Sequence, residues 1–342
     1  MSKKILGLAL SEDSLTGVVF IKSLRKTTII DGYSVSYDES FDVTLSLLLS
    51  KLDLKGCSSS ALCLPASLIS FKILRVPSVS TKKIRQILRV ELPSQLPTSH
   101  AGYISDFLHN DILSQTSNCK KHPNHIITAS LPVDVMDIYF PAMKKHFIYP
   151  ELITSQGMVL ATYLQNTFLK IVDYAIIIEA TKPHIVITTL YKKTVIDVRP
   201  FLGKLSAAFV AGSINQIVDE INKQYNLNLN SYSCIVLFIS DRCGDSNEED
   251  SNECLKLNYL INKIIYIIDI FDHVSITFNT NGLGCIDKDI VYDNNNHCNF
   301  FNAAAVALCA IKKQKIINFC QGTYENNYNY LFYKVLRCCG LK

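Results

Sequence analysis

Three groups of side chains in this 342-residue chain have the types and spacing to do chemistry. The first is basic: Lys82, Arg85 and Arg89 share one face of a helix expected between two prolines, Pro77 and Pro93. Such a stripe is either a solvated face or a docking surface. The second is Cys119-x-x-His122-x-x-His125, a thiolate and two imidazoles at a spacing compatible with zinc. It has no evident fourth ligand, and Lys120 and Lys121 would repel a cation, so no metal is expected. The third is an acidic loop over residues 241–253. Counted from Asp245 it lacks the sixth-position glycine and the twelfth-position acid of a calcium loop, and it is expected to be solvated. The eight histidines, at 100, 109, 122, 125, 146, 184, 273 and 297, stand beside no nucleophile signature such as Gly-x-Ser-x-Gly. No catalytic set is expected from them.

The bulk composition narrows the function classes. A chain with 48% hydrophobic and 19% charged residues folds, and its length allows two domains. A net charge of +4, with lysine pairs scattered at 120–121, 144–145, 192–193 and 312–313, gives no basic stripe for nucleic acid. The twelve cysteines form no Cys-x-x-Cys pair, and several fall inside apolar runs, where a free thiol acts as a small hydrophobe. They are expected to be reduced and structural. No apolar run is long enough to span a bilayer, and the basic start lacks a signal-peptide core, so a cytoplasmic location is expected.

The elements that position these groups follow from periodicity. Residues 5–10, 15–21, 27–33 and 61–64 read as strands, with a helix over 41–52 whose Leu45, Leu48 and Leu49 repeat on one face. The central stretch, 62–97, reads as strand, turn, strand, helix and stop. Ile69, Phe71, Ile73 and Arg75 alternate with Ser70, Lys72 and Leu74; Ser78 or Ser80 can cap the helix. Ile84, Ile87, Leu88 and Leu92 make its apolar stripe, and Pro93 and Pro97 forbid continuation. Strands at 103–108 and 126–131 follow, then helices over 133–146, stopped at Tyr149-Pro150, and 156–164. The opening pattern then recurs: strands 174–178, 185–190 and 194–198 around a turn through residues 179–183, a helix striped by Ile214, Ile217, Val218 and Ile221, and strand 234–239. This internal repeat points to a duplicated α/β fold. A strand over 273–278 and a small-residue helix over 302–310 end the series.

Four stretches in order make the chain resemble the GspL/PilM family, actin-like cytoplasmic components of type II secretion and type IV pilus assembly platforms. They are Leu64-Pro65 to Pro77, the exit from Glu91 to Pro97, residues 147–153, and the end from Ala303 to Gly322 with its Ile317-Asn318-Phe319-x-Gln321-Gly322. The resemblance covers about residues 5–325. It implies an α/β, actin-like (ribonuclease H-like) two-domain fold with a small α+β subdomain inserted in the first half. Residues 1–64, 150–172 and 297–325 would form the first domain, 65–149 the inserted partner-binding subdomain, 173–296 the second domain, and 326–342 a juxtamembrane-like tail. It further implies a platform scaffold at the inner membrane of a Gram-negative bacterium. The implied partners are an assembly ATPase (GspE/PilB-like), an inner-membrane platform protein (GspM/PilN-like), a second copy of the chain and the membrane surface, without nucleic acid.

The same resemblance locates the loops that would hold nucleotide. Active actin-like ATPases use glycine-rich hairpins, so that amides approach phosphate, and an aspartate that holds metal. Here the first hairpin offers Gly7, Ala9, Ser11 and Thr16, without the aspartate, second glycine and lysine; the second offers Glu179; the third, at residues 240–244, has one glycine. These positions look vestigial. No cofactor is expected, and hydrolysis is disfavoured against the alternatives of an active ATPase or a sugar-kinase-like enzyme. In the tail, Tyr328, Tyr330, Phe332 and Tyr333 precede Lys334, Arg337 and Lys342. That order suits either a membrane-facing segment or a terminal helix docked on the domain.

Overall fold

The computed structural model describes residues 3–22, 27–37, 40–110, 124–166, 174–181, 184–192, 194–202, 207–225, 234–239, 265–267, 297–321 and 324. Strands β1 (Lys3–Leu10), β2 (Ser14–Lys22) and β3 (Thr27–Ser36) lead into helix α1 (Phe41–Lys51) and strand β4 (Cys57–Leu64). Ile5, Leu6, Leu8 and Ala9 are all buried, because β1 lies inside a sheet covered on both faces. Ser40 caps α1, its Oγ accepting from Val43 N at 3.4 Å, and Phe41, Leu45 and Leu48 face inward.

Between β4 and the next strand of its sheet, the chain builds a separate unit. A 3-10 turn at Ala66–Leu68 leads to β5 (Ser70–Val76), α2 (Thr81–Glu91), a second 3-10 turn at Pro93–Gln95, β6 (Tyr103–Asn110), β7 (Asn124–Pro132) and α3 (Val133–Lys145). The three strands form an antiparallel sheet in the order β5-β7-β6. Leu74, Val76, Ile84, Leu88, Leu92, Leu96, Phe107 and Ile126 close a small core of their own. Ser80 stands at the N-cap of α2, but its side chain makes no capping bond, a correction to the expected serine cap.

Helix α3 ends where Phe147 takes the left-handed conformation, φ 57°, with its N–H donating to Lys144 O at 2.9 Å. The sharp exit sends the chain into β8 (Pro150–Ser155), a strand where the sequence predicts only a stop between two helices. Then come α4 (Gln156–Asn166), β9 (Tyr174–Thr181), β10 (His184–Tyr191), β11 (Thr194–Leu202), α5 (Ala207–Tyr225), β12 (Cys234–Ile239), β13 (Ile265–Ile267) and α6 (His297–Lys312). The turn expected through residues 179–183 is shorter: Glu179, Ala180 and Thr181 belong to β9 and pair with Val186, Ile185 and His184.

The two five-stranded sheets have the same plan. One runs β3-β2-β1-β4-β8 and the other β11-β10-β9-β12-β13. In each, three antiparallel strands are followed by two more parallel to the first strand of the set. Helix α6 packs on β1, β2 and β4, while α4 touches α6 on one side and β10 and β11 on the other. Cys57, Cys63, Cys309 and Cys320 are buried thiols, outside any disulfide among the described residues. The strand expected at 273–278, the loops at 240–244 and 241–253, Cys119, His122, Lys334 and Arg337 lie outside the described residues.

Candidate functional site

The positions matched to phosphate loops are occupied by packing. Gly7 lies in the middle of β1, where a Cβ would stand 2.0 Å from Ala303 O and 2.9 Å from Ala307 Cβ. Its missing side chain therefore admits α6 against the sheet. Ala9 is fully buried between Thr16 on β2 and Cys63 on β4. Thr16 is buried as well, its Oγ1 2.8 Å from Ser34 Oγ. In the β1–β2 turn, Ser11 N donates to Ser14 O at 2.9 Å and Ser14 N donates to Ser11 Oγ at 3.0 Å. Ser11 Oγ donates to Asp13 Oδ1 at 2.6 Å. Two turn amides are thus satisfied internally, in a turn that also carries the carboxylates of Glu12 and Asp13.

At the second hairpin, Glu179 is 1% exposed and Asn302 is 0% exposed. Asn302 Nδ2, on α6, donates to Glu179 Oε1 at 2.7 Å. Burial pushes this carboxyl up to about 7, against the smaller opposing effect of the asparagine bond. The sequence puts Glu179 in a turn, because its covering partner lies 123 residues away. The hint missed was an asparagine leading an alanine run, since a buried amide requires a partner.

A second site lies beside α2. A groove of about 490 Å³ is lined by Arg85 and Arg89, by Leu88, Leu92 and Leu96 below them, by Tyr103, Ile104 and Ser105 of β6, and by Gln321 and Tyr324. The structure brings two of the three expected basic residues into it; Lys82 is exposed on the same helix but outside the lining. Arg85 lies 3.9 Å from Asp106 Oδ1, a carboxyl raised by burial, while Lys82 and Arg89 have no ion pair among the described residues. Because β6 is an edge strand, alternate main-chain groups point away from β7 toward any added segment.

The far wall of the groove is held by Asn318. Its Oδ1 accepts from Ile153 N at 3.0 Å and from Cys320 N at 2.9 Å, and its Nδ2 donates to Glu151 O at 3.1 Å. Its own N–H donates to Asp106 Oδ2 at 3.0 Å. The segment 316–321 thereby covers the edge of β8, with Phe319 N donating to Ile153 O at 2.8 Å. Tyr324 continues the wall, donating from its hydroxyl to Asp137 Oδ1 at 2.6 Å and stacking edge-on with Phe140. The groove sets a leucine floor beside two exposed guanidinium groups. Among the described residues its lining pairs no nucleophile with a base.

No family model matches the chain, and no curated protein matches it. Solved structures do. A PilM–PilN type IV pilus biogenesis complex aligns over 90% of this chain and 98% of its own, with 12% identity and a TM-score of 0.66. The duplicated sheet plan and this superposition decide the architecture. The fold is actin-like. The cytoplasmic domain of EpsL, an inner-membrane component of the type II secretion system of Vibrio cholerae, aligns over 94% of this chain and 100% of its own. Its identity is 9% and its TM-score 0.50. In this actin-like frame, β1–β2 and β9–β10 are the equivalent hairpins of the two halves. Among the described residues, no helix is long and apolar enough to cross a membrane.

Proposed function

We propose that this chain is a non-catalytic cytoplasmic scaffold in the inner-membrane assembly platform of a type II secretion or type IV pilus system. The observation that carries the proposal is the groove between α2, β6 and the 318–324 segment, in a fold like those of PilM and the EpsL cytoplasmic domain. A PilN-like platform protein is the proposed occupant. Its segment would lie along β6, put apolar side chains on Leu88, Leu92 and Leu96, and pair an acid with Arg85 or Arg89. In this reading residues 65–149 are the partner-binding subdomain of the first half, 173–296 are the second half, and Lys334 and Arg337 face the membrane surface. The assembly ATPase and a second copy of the chain are proposed as further contacts.

Reversing Arg89 to glutamate, and truncating Arg85 to alanine beside Asp106, is expected to weaken capture of the platform partner at least tenfold, on the order of 1.4 kcal/mol per tenfold, in protein that remains folded. Unchanged capture of every platform partner would remove the groove from the proposal. The scaffold reading also predicts no thermal shift with magnesium and adenine nucleotide. A ligand at a hundred times its dissociation constant would stabilise the protein by about 2.7 kcal/mol, so a shift of that size would favour the active-ATPase alternative.

A further inference from the structure

We propose that Glu179 and Asn302 form a proton-closed latch tying the second sheet to α6. Asn302 Nδ2 already donates to Glu179 Oε1 at 2.7 Å. The two oxygens left over, Glu179 Oε2 and Asn302 Oδ1, are buried acceptors without a partner among the described residues. Two acceptors cannot satisfy each other, and each unmet buried group is destabilising. A proton on Oε2 supplies the missing donor: the neutral acid gives its O–H to Asn302 Oδ1 while it receives the amide N–H on Oε1. Acid and amide then close a two-bond ring across the seam.

The surroundings make the proton decisive. Glu179 is flanked in its sheet by Val186 and Phe238, neither of which can pair with a carboxylate. Of the elements around it, β10 carries His184 and Tyr191 at its two ends and β12 carries Cys234. Helix α6 carries His297, Cys298, Cys309 and Lys312, and α4, packed on β10 and α6, carries Tyr163. The shift of Glu179 to about 7 arises from burial, with no charged group among its causes. Its folded-state value therefore lies above the ordinary value of 4.5. The folded latch holds its proton through the window from about 4.5 to about 7, and its stability declines as pH rises through that window. Since α6 packs on β1, β2 and β4, the latch is a side-chain tie between the second sheet and the first, beside the packing of α4 on β10 and β11.

The test follows hydrogen exchange of α6 amides, corrected for intrinsic exchange, in wild type and in Glu179→Gln. If opening exposes Glu179 to water, the opening equilibrium of wild type rises about tenfold between about pH 6 and about pH 8. In Glu179→Gln, where the side chain cannot ionise, it stays flat. A pH response that persists in Glu179→Gln belongs to another group, such as Asp197 of β11, and overturns the proposal, as does a flat wild type. If Glu179→Gln fails to fold, infrared spectroscopy of wild type with carbon-13 in its glutamates gives the answer. A protonated-glutamate carbonyl band persisting at about pH 6 and lost by about pH 8 supports the latch, because ordinary glutamates are ionised well below that range. Its absence at about pH 6 means that a buried water or another donor serves the two oxygens, and the latch is wrong.

Discussion

Gly7→Ala is expected to destabilise the protein by about 3 kcal/mol or more, the upper range for overpacking a close-packed interior. The added Cβ would meet Ala303 O at 2.0 Å, and the obstacle is backbone of α6, which cannot rotate away as a side chain can. Relief requires α6 to lift from β1, and with it the buried row of Ala303, Ala304 and Ala307. A control is Gly102→Ala, where the new Cβ would meet Val133 Cγ2 at an ordinary 3.5 Å; its midpoint should stay within about 1 kcal/mol of wild type. Urea unfolding of both variants decides, since a drop in midpoint at constant slope reports stability alone. If Gly7→Ala unfolds at the wild-type midpoint, the close approach of α6 is not what requires glycine there. The role of nucleotide would then have to be reconsidered at this position.

Asn318→Ala is expected to be the next most damaging change, costing about 3 kcal/mol. The side chain serves three main-chain groups, the N–H groups of Ile153 and Cys320 and the carbonyl of Glu151. Stripping a partner from a buried main-chain group costs roughly 1 to 3 kcal/mol, and the part-exposed groups among these recover some of it from water. Asn318→Asp keeps the acceptor, loses the donor to Glu151 O and brings a carboxylate near Asp106, so it should fall between alanine and wild type. Denaturant unfolding ranks the three proteins. Since the same segment carries Gln321 and Tyr324 into the groove, partner capture should fall in Asn318→Ala with both arginines intact. A stable Asn318→Ala protein that captures partner normally would show that Phe319 and Ile317 alone hold the segment.

Much of this architecture was written locally. The apolar run of β1, the leucine stripe of α1, and the Ile84, Leu88 and Leu92 stripe of α2 each declare an element without reference to the rest of the chain. Repetition of the strand-turn-strand-strand-helix-strand series declared the duplication, and both sheets follow it. The basic face of α2 was legible for the same reason, because helical spacing is a local property. The Ile317-Asn318-Phe319 stretch was legible as a pattern, but its physical role was not.

Other features depended on which distant residue arrives. β8 is not legible in the sequence, where Tyr149-Pro150 reads as a helix stop; its place comes from parallel pairing with β4 and from the bond of Ile153 to Asn318, 165 residues later. Gly7, matched to a phosphate-loop position, admits α6 against the sheet, and Glu179, expected in a turn, is paired in β9 and covered by Asn302. Lys82, Arg85 and Arg89 were equivalent in sequence, whereas the position of β6 and the 318–324 segment puts only Arg85 and Arg89 over the groove. Periodicity sets which face of an element is apolar, because that needs nothing beyond the backbone repeat. Whether a buried glycine, acid or amide serves packing, a ligand or a latch is decided by long-range contacts, and those exist only once the sheets and helices have closed on one another.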